Sequence, residues 1–178
     1  MSDDVTATPA IDDDIATALV DAFPGSVFVL SHGQPVVYVD RAHWHAVAEA
    51  LKTVHDMTSC MDVTAVDHLT NAERVVPSGV APERFEVVAN FLSHRRNRRI
   101  RVIAQLPESD PTVASIVDLY PGTDFPEREV FDLMGIEFVG HPDLTRILMP
   151  EGWDGFPLRK DAPSARVPVT FKEDPTPR

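Results

Sequence analysis

The stretch from Tyr120 to Asp161 constrains the fold more than any other part of the sequence. It reads YPGTDFPEREVFDLMGIEFVGHPDLTRILMPEGWDGFPLRKD and mixes closely spaced glycine and proline with opposite charges and large apolar residues. Glycine and proline at this density exclude a single helix or strand. The apolar residues argue against a disordered linker. We therefore expect an ordered, mostly irregular segment that docks onto another surface.

Ordinary α/β patterning precedes this stretch. Apolar residues at helical spacing predict helices over 12–23 and 40–54, with aspartates at both starts. Alternating or continuous apolar runs predict strands at 27–30, 36–39, 60–69, 85–91 and 100–106. In the strand at 60–69, the pattern places Met61, Val63, Ala65 and Leu69 on one side. Residues 111–117 are predicted to form a short helix.

This order of elements predicts an α+β fold: a small two-layer sandwich with helices on one face of the sheet, followed by an extended, irregular C-terminal segment. We expect four regions along the chain. They are a mobile acidic leader at 1–11, an α+β core domain at 12–119, a signature segment at 120–163 that docks on partners, and a Pro-rich tail at 164–178.

Charge and cysteine content exclude several classes of protein. The net charge of −12 argues against a nucleic-acid or anionic-lipid surface, which needs a basic footprint. Cys60 is the only cysteine, so an iron–sulfur cluster, a Cys-rich zinc site and a disulfide framework are excluded. The start lacks a secretory signal and no apolar run could cross a bilayer, which predicts a cytoplasmic protein without direct membrane insertion.

Two clusters of charge have alternative interpretations. The arginines between 95 and 101 could bind RNA, or form the solvated tip of a β-hairpin; we favour the hairpin. Near the C-terminal third, Glu129, Asp132 and His141 could serve a stand-alone acid/base enzyme. We favour a charge-braced helix that Pro126 opens and Gly135 closes, because no phosphate loop, nucleophile elbow or paired metal-binding histidines accompany them.

The end of the signature segment has its own expectations. Pro142 is placed to open a short helical piece through Leu148, and Pro157–Asp161 is expected to be extended. On such a segment, Arg159 and Lys160 can reach carboxylates of a neighbouring protein. Charge pairs of this kind set docking register more reliably than they add affinity.

The run EREVFDLMGIEFVGHPDLTRILMPEGWDGFPLRKDAP, residues 127–163, resembles the signature of the 30-kDa-type C subunit of NADH–quinone oxidoreductase, respiratory complex I. Three weaker stretches match in the same order: MDVTAVDHL, RFEVVANFLSHRRNRRIRV and LPESDPTVASIVDLYPG. The resemblance covers roughly residues 20–165. It implies a compact α+β domain with a mixed sheet.

The resemblance also implies a role. Such a chain would be a structural subunit of the peripheral arm, with no cofactor of its own and no catalysis in isolation. FMN, iron–sulfur clusters and quinone would reside in partner subunits. The expected partners are the quinone-site large subunit, the terminal iron–sulfur small subunit and other peripheral-arm subunits, at the cytoplasmic face of the plasma membrane. The motif also fits the equivalent subunit of a membrane-bound hydrogenase or ferredoxin-linked dehydrogenase complex.

No catalytic, cofactor-binding or metal-binding residue is expected in this chain. The residues that match family positions are interpreted as structural and interface residues. They are Glu127, Arg128, Glu129, Asp132, His141, Asp143, Arg146, Arg159, Lys160 and Asp161.

Overall fold

A mixed sheet of five strands organises the protein, in the order β1-β2-β5-β4-β3. The computed structural model describes residues 13–71, 73–150 and 152–162, so the leader at 1–11 and the tail at 164–178 lie outside the described residues. The strands are β1 (Val27–Ser31), β2 (Gln34–Val39), β3 (Ser59–Asp67), β4 (Phe85–Ser93) and β5 (Arg98–Leu106). β2 is parallel to β5 and the other neighbours are antiparallel, which confirms the mixed sheet.

Three α-helices accompany the sheet in the described part of the chain: α1 (Asp14–Ala22), α2 (Trp44–Thr53) and α3 (Asp124–Met134). The side chain of Asp13 caps α1 by accepting hydrogen bonds from the N–H groups of the second and third helical residues. Asp40 caps a 3₁₀ turn, Arg41–His43, that leads directly into α2. Both acidic starts were predicted from the sequence.

The main core lies between one face of the sheet and the helices. Alternate strand residues, such as Val37, Val87 and Val102, share this core with Leu19 of α1 and Trp44 of α2. The intervening strand positions form a separate, smaller apolar cluster of Val36, Val88 and Ile103 on the other face. The main core contains residues of all three helices and the smaller cluster contains none, which confirms the prediction of helices on one face.

The predicted helix at 111–117 is wrong. Thr112–Ala114 forms strand β6, which pairs in parallel with β7 (Glu137–Val139) in a second sheet of two strands. The partner strand comes from beyond α3, so no local pattern reveals it. Thr112 and Val113 are β-branched and suit a strand once that partner is present.

The predicted facing of Met61 is also wrong, because the alternation of β3 is interrupted. The register against β4 shifts between Cys60 and Asp62. One extra residue in a strand reverses the faces of the residues that precede it. Val63 and Ala65 are buried as predicted, whereas Met61 is 59% exposed and Cys60 packs against the core.

Candidate functional site: the anchored C-terminal segment

The C-terminal end of α3 contacts the chain segment that follows it. Gly135 ends the helix in the left-handed conformation, with a φ of 68°. The ring of Phe156 lies so close that a Cβ atom on Gly135 would come within 2.5 Å of it. The guanidinium of Arg159 donates to the terminal carbonyls of Met134 and Gly135, at 2.6 and 3.2 Å. The C-terminal segment, residues 141–150 and 152–162, is therefore fixed to the helix end.

Asp132 is the first anchor of this segment. Its buried carboxylate accepts hydrogen bonds from the N–H groups of Ile147, Leu148 and Met149, at 3.0, 2.7 and 2.9 Å. The guanidinium of Arg146 donates to it at 2.8 Å. Burial alone would raise the pKa of Asp132, but these donors outweigh it and lower the pKa.

The same contacts explain why the predicted helix at 142–148 is wrong. The backbone N–H groups at its end point to the Asp132 carboxylate, not to carbonyls one turn earlier. Residues 157–162 also differ from the expected extended form. They make two successive turns, closed by hydrogen bonds from Arg159 N–H to Phe156 C=O and from Ala162 N–H to Arg159 C=O.

Asp67, at the end of β3, is the second anchor. Its carboxylate accepts from the backbone N–H of Lys160 at 2.8 Å and from Arg84 at 2.9 Å, and Arg84 also donates to Asp161 at 2.8 Å. Burial opposes ionisation of Asp67, yet the hydrogen bonds from Arg84 and from the N–H groups of Lys160 and Leu69 lower its pKa to about 2. The segment is thus tied to the main sheet as well as to α3.

Arginine and phenylalanine alternate between the two anchors. Arg84 and Arg159 lie 4.8 and 5.2 Å from the ring centroid of Phe85. Arg159 and Arg146 lie 4.7 and 5.3 Å from that of Phe156. Cations over aromatic faces attract the ring electrons, and the flat guanidinium group also stacks well. Arg159, expected to contact a partner, is thus engaged within its own chain.

Glu127 connects α3 to the chain that precedes the helix. Its carboxylate is fully buried and accepts from the Ser115 hydroxyl at 2.6 Å, the Ile116 N–H at 2.9 Å and the Thr123 hydroxyl at 3.2 Å. Burial raises the pKa of Glu127, and these donors offset only part of that effect. The chain that follows β6 is thereby attached to α3.

The remaining predicted site residues lie around this framework. Arg128 donates to the carbonyl and hydroxyl oxygens of Thr145, at 3.0 and 2.7 Å. The His141 ring nitrogen Nε2 lies 3.3 Å from the carbonyl oxygen of Asp124. Asp143, Glu129 and the side chain of Lys160 are exposed. Within the described residues, neither the Glu129 carboxylate nor the Lys160 ammonium has a side-chain partner.

These positions bear on the acid/base hypothesis. The Asp132 carboxylate is occupied by the C-terminal segment, His141 lies beside Asp124, and Glu129 faces outward. The three groups therefore do not share one hydrogen-bond network. The arrangement favours the alternative interpretation, in which the charges of α3 brace the structure.

The basic hairpin between β4 and β5 also has internal partners. Arg95 pairs with Asp56 at 2.7 Å, and Arg98 pairs with Asp13 at 2.6 Å and with Asp14 at 3.0 Å. Arg98 thereby connects the hairpin to the start of α1. This supports the structural interpretation over RNA binding.

Asp67 and Arg84 were not predicted as site residues. They are 17 residues apart, and Arg84 is 77 residues from Asp161, so no local spacing connects them. One signal was present. Each residue falls in one of the weaker stretches that carry the family resemblance, MDVTAVDHL and RFEVVANFLS.

The anchored segment leaves large apolar side chains at its surface. Leu148, Trp153 and Leu158 are 54%, 42% and 49% exposed. An open groove is lined by residues 153–162, Lys160 among them. None of the helices in the described ranges combines the length and apolarity that a membrane crossing requires.

Fold and site together define a class: an α+β protein whose C-terminal segment is anchored by buried charge and presents an apolar surface. Residues 37–167 match the family described as respiratory-chain NADH dehydrogenase, 30 Kd subunit. The chain belongs to this family.

Relatives of the same kind are similar over most of the chain. A Saccharopolyspora erythraea protein, named as the C subunit of NADH-quinone oxidoreductase, is 39% identical over 80% of this chain and 55% of its own length. A Bordetella petrii protein of the same name is 41% identical over 82% of this chain and 74% of its own length. The chain therefore spans only about half of the first relative and three quarters of the second.

Solved structures share the fold. A trypsin-resistant fragment of Nqo5, residues 1–134, superposes with a TM-score of 0.60 at 31% identity, covering 72% of this chain and 93% of the fragment. A chain of an archaeal membrane-bound sulfane sulfur reductase superposes with a TM-score of 0.66 at 18% identity, covering 83% and 82%. These likenesses confirm the predicted fold class.

Proposed function

We propose that this chain is a structural subunit in the peripheral arm of a proton-translocating NADH–quinone oxidoreductase. It holds the quinone-site large subunit and the terminal iron–sulfur small subunit in register, at the cytoplasmic face of the membrane. Electron transfer then takes place between cofactors of its partners. The isolated chain has no catalytic activity and binds no FMN, iron–sulfur cluster or quinone.

One observation carries this proposal: buried carboxylates anchor the C-terminal segment by hydrogen bonds, while its large apolar side chains are exposed. The buried anchors, Asp67 and Asp132, fix the backbone before any partner arrives. A pre-formed surface loses little conformational entropy on binding. Exposed Trp153 is of a residue type that is enriched in interface hot spots, and Leu158 and the Lys160 ammonium, which has no side-chain partner among the described residues, line the same groove.

Co-purification from native membranes tests the proposal. A tagged chain is expected to recover an iron–sulfur subunit, a quinone-site subunit and NADH-oxidising activity, whereas the purified chain alone oxidises no NADH. The Lys160→Glu variant is expected to weaken recovery, because it reverses charge at the docking surface. Arg96→Glu, an exposed change on the hairpin, is the matched control. Recovery of the tagged wild-type chain without these partners would contradict the proposal.

A second candidate is the equivalent subunit of another membrane-bound respiratory complex. The fold shared with a chain of the sulfane sulfur reductase favours it. The same purification separates the two candidates, because the second predicts recovery of a complex that lacks an NADH-oxidising module. Relatives at 39% and 41% identity are named as NADH-quinone oxidoreductase subunits, which supports the first candidate.

A further inference from the structure

Strand β3 forms one edge of the main sheet, and no strand in the described ranges lies on its outer side. An edge strand presents unpaired backbone N–H and C=O groups, and proteins usually block such edges with charge, proline or a bulge. The bulge at 60–62 blocks the start of β3. Its centre, Thr64–Val66, contains no charge, proline or bulge. The middle of this edge therefore has none of these three blocks and pairs with no strand of the described residues.

A cavity of about 180 Å³ runs along the same edge. Four consecutive residues, 62–65, line it, although successive side chains of a strand point to opposite faces. The cavity must therefore touch the backbone edge of β3. Its far wall is apolar and consists of Val130, Leu133 and Met134 of α3 together with Leu158 of the C-terminal segment. An engineered apolar cavity of about 150 Å³ accommodates benzene, so this one has room for an aliphatic side chain.

The charged side chains that line this cavity are acidic. Glu129 lines the cavity, is exposed, and has no ionic partner among the described residues. Asp62 is also exposed, at the start of the same cavity. A second copy of this chain would bring the same acidic groups to the contact and be repelled. A partner with a basic residue would be attracted.

We propose that the outer edge of β3 binds an extended segment of a partner protein by strand addition. One aliphatic side chain of that segment enters the cavity against Leu133 and Leu158, and a lysine or arginine pairs with Glu129. Main-chain hydrogen bonds to β3 supply affinity, while the cavity and the carboxylate select the sequence. The inference rests on the proposed function for the source of the partner, a subunit of the same complex.

Hydrogen exchange tests the backbone part of the inference. Deuterium uptake of peptides covering 61–67 is measured in the free chain and in the complex purified through a tagged chain. The unpaired edge predicts that about half of these amides exchange rapidly in the free chain and become protected in the complex. Protection already present in the free chain, or equal uptake in both samples, overturns the inference.

Two pairs of substitutions test the side-chain part. Glu129→Lys is expected to lower recovery of the complex about tenfold, because an attractive pair becomes repulsive. Asp21→Lys, an exposed reversal on α1 near the opposite edge of the sheet, is the control. Leu158→Ser is likewise expected to weaken recovery, whereas Leu69→Ser, at a similarly exposed leucine outside the cavity, is not.

The two proposals fail differently. If the wild-type chain recovers its complex but Glu129→Lys assembles as well as Asp21→Lys, strand addition at β3 is wrong and the structural role stands. If the wild-type chain recovers no complex, the proposed function itself is wrong. Soluble expression and cooperative unfolding of each variant exclude misfolding as the cause of a loss.

Discussion

At the scale of single residues, Asp132 lies on α3 but determines the backbone conformation of residues 147–149 in the signature segment. Its carboxylate accepts from three consecutive backbone N–H groups and from Arg146. A buried carboxylate with four donors replaces the helix that the sequence pattern predicts for the residues around Arg146. The conformation of this loop therefore depends on one side chain 14 to 17 residues earlier in the chain.

Asp132→Ala is expected to lower the free energy of unfolding by about 3–5 kcal/mol, because it leaves Arg146 and three N–H groups without their acceptor. Urea denaturation measures this value. Asp143→Ala is the control, since its side chain is exposed on the same segment, and it should change stability by no more than about 0.5 kcal/mol. Equal stability of the two variants would show that the Asp132 network is energetically unimportant.

At the scale of elements, the junction between α3 and the C-terminal segment depends on the absence of a side chain at residue 135. Gly135 and Gly140 both adopt positive φ, at 68° and 88°. Phe156 covers the first, whereas no atom lies within 4 Å of a Cβ built on the second. Substitutions at the two glycines therefore separate the cost of backbone strain from the cost of displacing the Phe156 ring.

Gly140→Ala is expected to cost about 1–2 kcal/mol, the usual cost of a left-handed conformation for a residue with a Cβ. Gly135→Ala should cost more and should also displace Phe156, because ring and methyl group cannot occupy the same space. Urea denaturation gives the stability of each variant. Trypsin cleavage after Arg159 and Lys160 reports displacement of the segment and is expected to be faster only in Gly135→Ala. Equal cleavage rates in the two variants would contradict this account.

Sequence patterns predicted the elements that depend on local chemistry. The capped start of α1, the glycine end of α3 and the five strands of the main sheet follow from residue spacing and from turn residues. β6 and the loop around Leu148 were missed, because β7 and Asp132, their respective partners, lie far along the chain. The ten family-matched residues were identified by resemblance, but their geometry was not. Arg159 and Asp132 are internal anchors, while Glu129 and Lys160 remain available to partners.

At the scale of the whole molecule, its buried carboxylates make stability depend on acidity. The pKa of Asp67 falls from an ordinary 3.8 to about 2, and that of Asp132 is also lowered. A carboxyl group whose pKa is lower in the folded protein contributes its full stabilisation above its pKa in the unfolded chain. This contribution disappears as the pH falls through its pKa in the folded protein. For Asp67 this amounts to about 2 kcal/mol, lost between about pH 4 and pH 2. Glu127, whose pKa is raised, acts in the opposite direction.

The free energy of unfolding is therefore expected to fall between pH 5 and pH 2.5, with Asp67→Asn less stable than the wild type at pH 6 and closer to it at the acid end. Urea denaturation at a series of pH values measures both curves. The reason is that asparagine cannot acquire the proton that the wild-type carboxylate takes up on unfolding. Parallel curves for the two proteins would show that Asp67 does not contribute to the acid sensitivity.

The bond from the Lys160 N–H to Asp67 spans 93 residues of chain, and it sets an order of events during synthesis. The five strands of the sheet can pair once Leu106 has left the ribosome, but the contact with Asp67 must wait until residue 160 has also emerged. A nascent chain thus passes through a stage with a finished sheet and no docking surface. Under the proposed function, encounters with other subunits at that stage would be unproductive, and competence for assembly would show that translation has passed residue 160.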